Sequence, residues 1–138
     1  MIKVDKMELK EHLIVYIAGP MTGLPDFNYP AFKKKEGLLN ELGRRASPAI
    51  AFTVLNPAVF PFGLPHEAYM QMTLPMLHVS NCIYLLKGWE DSIGSKIELQ
   101  YALENGYRIF VEGSDELENY LLELSNAERN SPGGFTRA

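Results

Sequence analysis

Residues 13–19 read "LIVYIAG" and run straight into Pro20. A strand with one wet face alternates apolar and polar residues, whereas this run is apolar throughout. Its β-branched and aromatic content, with Gly-Pro behind it, reads as a strand buried on both faces. Three later stretches read the same way: "AFTVLNPA" (51–58), "CIYLLKG" (82–88) and "YRIFVEG" (107–113).

Helical patterns separate them. Asn28 is placed to cap a helix starting near Pro30, with Phe32, Leu38, Leu39 and Leu42 as its apolar stripe and Gly43 to end it. A second helix runs from about His66 to Val79, with Pro75 kinking or dividing it. A third ends at Gly106, and its inward face should carry Ile93, Ile97, Tyr101 and Ala102, with Glu98 among them. A fourth spans 114–127 behind a Ser114 cap. Strands alternating with helices make an α/β domain with a parallel sheet covered on both faces. Ligands in such sheets sit at the carboxyl ends of the strands. There the loops "GPMTGLPDFN" and "KGWEDSIGS" are rich in Gly, Pro and small polar residues.

The chain has 138 residues, 46% of them hydrophobic, which is one domain with a real core. A formal charge of −4 leaves no broad basic field for a nucleic-acid polymer, though a small phosphorylated ligand needs only local donors. Cys82 is the single cysteine, so no intramolecular disulfide or multi-cysteine metal site forms, and it reads as a buried small residue. His12, His66 and His78 show no metal-ligand spacing. The apolar run from residue 13 is too short for a signal core or a membrane span, so a cytoplasmic protein is expected. Residues 1–12 read as an N-terminal extension, 13–127 as the domain and 128–138 as a disordered tail.

Glu98 has two readings. Ser95-x-x-Glu98 fits a capping box, in which the carboxylate only satisfies a helix start. If Ser92 is the cap instead, Glu98 lies beyond the capping position, where a carboxylate near the positive end of a helix can act as a nucleophile. Tyr16 is either core or a hydroxyl aimed at that carboxylate. Trp89 could stack on a flat ligand. "AGPMTG" is neither a dinucleotide fingerprint nor a Walker loop, and "KKKE" (33–36) reads as a solvated helix face.

Taken together, "YIAGPMTG", "DFNYPAF", "VLNPA" and W-x-x-S-x-G-x-x-x-E-x-x-x-A resemble an uncharacterised family of phage and bacterial proteins over about residues 13–111. That family belongs to the nucleoside 2-deoxyribosyltransferase-like superfamily. The resemblance implies a flavodoxin-like doubly wound parallel sheet, working as a homodimer or larger assembly whose sites are completed by a neighbouring subunit. It implies cleavage or transfer at the N-glycosidic bond of 2′-deoxynucleosides or their 5′-monophosphates. Glu98 would attack C1′ and Tyr16 would orient it. The superfamily position of Ser92, near the sugar's 5′ end, is Asp in transferases and Ser in monophosphate hydrolases. A serine there favours a 5′-phosphate that a carboxylate would repel. The expected ligand contacts are Gly19, Met21, Thr22, Gly23 and Asp26 from the first loop and Trp89, Ser92, Gly94 and Ser95 from the second. No metal or organic cofactor is implied, and the compartment would be the host cytoplasm if the chain is phage-encoded.

One departure stands out. The characterised enzymes place an Asp where this chain has Thr73, and a threonine is no general acid at neutral pH. Asp26, Glu67 and Asp91 are the alternative acids, or the leaving base needs no proton. The rival reading is a nucleotide-binding protein of the same fold that sequesters or senses its ligand without turnover. A third is an interaction protein that keeps the fold alone.

Overall fold

The computed structural model describes residues 11–130, apart from 47 and 49. Four strands, β1 (Glu11–Ala18), β2 (Ile50–Leu55), β3 (Cys82–Leu85) and β4 (Arg108–Val111), form one sheet in the order β2-β1-β3-β4. Every neighbouring pair is parallel; Val15 of β1, for example, faces Val54 of β2 and Cys82 of β3. The helices are α1 (Tyr29–Arg44), α2 (His66–His78), α3 (Ile93–Glu104) and α4 (Glu116–Asn130). This is a flavodoxin-like α/β domain, with the strand order of that doubly wound fold.

The apolar run of β1 is the centre of the molecule. Leu13, Val15 and Ile17 point to one face, where they pack with Phe32 and Leu39 of α1 and Leu117 and Leu121 of α4. Tyr16 and Ala18 point to the other, against Leu77 of α2 and Ala102 of α3. A strand covered on both sides has no reason to alternate, and this one does not.

Several ends differ from the sequence reading. β1 starts two residues before its apolar run, at Glu11, whereas the other three strands are shorter than theirs: β2 stops at Leu55, because Asn56 Oδ1 accepts the Ala58 N–H at 2.8 Å and turns the chain. Gly43 does not end α1 but lies inside it. A Cβ there would stand 2.4 Å from the Phe52 ring, so the glycine lets the helix rest on β2. Asn28 does not cap α1 with its side chain; its Nδ2 donates to the Pro20 carbonyl at 2.9 Å instead. Pro75 stands within α2 without dividing it. Ser114 donates to the Val111 carbonyl and only distantly accepts from Glu116 N–H, so α4 begins at Glu116, and it runs on to Asn130. The expectations for residues 1–10 and 131–138 lie outside the described residues. Among the described residues, no helix is long and apolar enough to cross a membrane.

Candidate active site

β1 and β3 lie side by side, and the helices that follow them leave toward opposite faces of the sheet. The crevice this opens is where ligands bind in doubly wound sheets. Gly19 lets its walls approach: a Cβ there would meet Leu86 Cβ at 2.8 Å.

α3 carries the chemistry into that crevice. Ser92 is its N-cap, and the Ser92 hydroxyl accepts the Ser95 N–H at 3.1 Å. Glu98 therefore lies past the capping position, and its Oε2 accepts the Tyr16 hydroxyl at 2.5 Å. Both partners are buried. The buried residues Ser95, Glu98 and Ala102 recur at spacings of three and four and mark the inner face of the helix. The apolar face expected inside is turned out: Ile93 is 71% exposed and Ile97 43%. Of the four residues expected there, Ala102 is fully buried and Tyr101 partly so.

Burial raises the Glu98 carboxyl to about pKa 7, against the opposing pull of the Tyr16 hydrogen bond and of the nearby Thr73 hydroxyl. Burial first, and then the Glu98 charge, push the Tyr16 phenol well above its usual range. Tyr16 thus remains the donor of the pair, and Glu98 is the member that titrates near neutrality. The Thr73 hydroxyl lies beside both groups and favours the charged form of each, yet Thr73 Oγ1 closes no hydrogen bond with the protein. Ser95 Oγ, one turn before Glu98, is also buried without a partner. Two orphan hydroxyls beside one carboxylate leave free hydrogen-bonding capacity for a polar ligand.

All four residues line a cavity of about 420 Å³, within the range of small-molecule sites. Gly19, Met21, Thr22, Ser92 and Gly94 line it too, whereas Gly23, Asp26 and Trp89 do not. Trp89 packs instead on the core cluster around Leu85 and Ala102. Of the three alternative acids, Asp91 lines the cavity and Asp26 and Glu67 do not. Among the described residues, no lysine or arginine contributes to the wall and no cluster of ligating side chains could hold a metal.

Sequence reasoning singled out Thr73 but missed the rest of the wall that α2 supplies. His66, Tyr69, Met70 and Thr73 all line the cavity. Their spacing of three and four was the available signal, obscured because the segment reads as an apolar, proline-rich loop and helix. Phe27 was missed as well. It sits in the turn Pro25–Asn28, where Asp26, Phe27 and Asn28 all have positive φ (51°, 53° and 59°). Such angles cost of order 1–3 kcal/mol for each non-glycine residue. The turn is held by the Asn28–Pro20 bond and by the Phe27 ring, which stacks on Phe62 at 4.7 Å. Tyr29 and Tyr69 pin the segment between β2 and α2 that carries Phe62, donating to the Phe60 and Pro61 carbonyls.

A flavodoxin-like sheet with a buried carboxylate–phenol pair at its topological switch point defines the class of this protein. The family model described as "Domain of unknown function (DUF4406)" matches residues 13–111, and the chain belongs to that family. No curated protein and no solved structure matches it.

Proposed function

We propose that the protein cleaves the N-glycosidic bond of 2′-deoxynucleotides, with Glu98 as nucleophile, and that it is a 5′-monophosphate N-glycosidase more than a base-exchanging transferase. The observation that carries this reading is the buried Tyr16–Glu98 hydrogen bond of 2.5 Å on the wall of the cavity. A helix that turns isoleucines outward and a carboxylate inward gives up burial energy that packing alone would have used.

A Glu98 oxygen attacks C1′, the C1′–N bond breaks, and the base departs with the bonding electrons. Tyr16, protonated throughout, keeps one carboxylate oxygen engaged so that the other faces the sugar. Water then attacks C1′ of the glycosyl ester and the C1′–O bond to Glu98 breaks; the sugar keeps the hydroxyl, the carboxylate is restored and the remaining proton of the water passes to solvent. The proton for the base comes from Asp91 or from solvent, since Thr73 supplies none. Ser92 and the first turn of α3 hold the 5′ end.

Thr73 supports a second reading, in which the same cavity binds a nucleotide without turning it over. Base release from a panel of deoxynucleosides and their 5′-monophosphates separates the two. Release from monophosphates supports the glycosidase. Thermal stabilisation by a monophosphate with no release supports the binding protein.

The partner we propose is a second copy of the chain, in a homodimer or larger assembly. Ile93 both lines the cavity and opens the exposed apolar stripe that continues to Ile97, so a copy covering that stripe stands at the mouth of the site.

A further inference from the structure

We infer that His66 supplies the positive charge that holds the ligand's 5′-phosphate at the first turn of α3; this rests on the nucleotide reading above. Among the described residues of the wall, a phosphate meets two acidic side chains, Glu98 and Asp91, and no lysine or arginine, and His66 is the basic side chain. It opens α2, and its Cε1 stands 3.5 Å from the point a Cβ would occupy on Gly94. The imidazole therefore lies against the N-terminal turn of α3, beside the Met70 sulfur, which stands 3.4 Å from the same point.

A helix start alone binds anions weakly, but this one carries a second feature. Ser95 is 1% exposed and lines the cavity, and its Oγ is buried without a hydrogen-bond partner. A phosphate oxygen at that turn satisfies the orphan hydroxyl while its neighbour meets the imidazolium. The other titratable groups on this wall are Glu98 from α3, Asp91 from the turn before it, Tyr16 from β1 and Tyr69 from α2 itself. None of them is a cation at any pH. Glu67, next along α2, and Lys96, on the outer side of α3, lie off the wall.

The test uses base-free 2-deoxyribose 5-phosphate, with the four deoxynucleosides and their monophosphates beside it, in calorimetry at pH 6. His66 is exposed, so its variants should fold. H66Q should weaken the sugar phosphate and the monophosphates about tenfold or more while sparing the nucleosides. H66K should restore phosphate binding. Phosphate binding unmoved by H66Q, or equal losses for phosphates and nucleosides, would overturn the role of His66 and leave the nucleotide reading standing. Wild type that binds none of these ligands would remove the nucleotide reading itself.

Discussion

Burial keeps the Glu98 carboxyl protonated up to about pH 7, against an ordinary value of 4.5. The native chain thus holds a proton that the unfolded chain has released, and stability falls as pH rises between these two values. Below pH 4.5 the cost is absent; above 7 it is present in full. Glu98→Gln keeps an acceptor for the Tyr16 hydroxyl and removes the charge. Its melting temperature should exceed the wild type's by several degrees at pH 8, with the difference vanishing at pH 4.5; thermal scans across that range check it. Equal melting curves at pH 8 would mean the carboxylate is far better solvated than its burial implies. Ser92 is tested by Ser92→Asp. Aspartate caps as well as serine, so α3 stays formed, and only the charge facing the 5′ end changes. Monophosphate affinity should drop at least tenfold more than nucleoside affinity in calorimetry, and equal losses would take Ser92 out of the phosphate site.

Elements were legible in proportion to how fully packing alone decides them. The strands announced themselves because β1 and β3 are covered on both faces, and Leu13 to Ala18 had no solvent side to mark with polar residues. α1 was legible for the same reason, through Phe32 and Leu39. α3 was misread because its inner face is chosen for chemistry: Ser95 and Glu98 point in, while Ile93 and Ile97 point out. A rule that sends apolar residues inward fails where function claims the inside. Beyond Thr73, which the resemblance pointed out, the α2 wall was invisible because no pattern in a single helix says which neighbour it faces. Gly43 looked like a helix end and is a packing contact, which gives an element-scale prediction. Gly43→Ala gains helix propensity, but its Cβ would press on Phe52, whose own Cβ is only 3.0 Å away, so ring rotation cannot clear it. Net destabilisation of about 1–2 kcal/mol is expected in a urea melt, the usual scale of overpacking. A stabilised variant would show that α1 can slide off β2.

At the scale of the whole molecule, the surface carries more apolar residues in one stretch than scattered exposure explains. Ile93, Ile97 and Leu103 are exposed along α3, and Val59, Phe62 and Leu64 along the loop before α2. The account expects a homodimer or larger assembly at micromolar concentration, measured by light scattering, and expects Ile97→Lys to shift it toward monomer. A clean wild-type monomer would contradict that. The central claim is narrower and concerns one carboxylate: that Glu98 attacks C1′ of a deoxynucleotide. Its most direct test is the rate of base release from deoxynucleoside 5′-monophosphates at pH 8, wild type against Glu98→Gln. The account predicts release by the wild type and a fall of about a thousandfold or more in the variant, the size of effect expected when a covalent nucleophile is lost. A variant that keeps its rate within about tenfold, only about 1.4 kcal/mol of barrier, would contradict it.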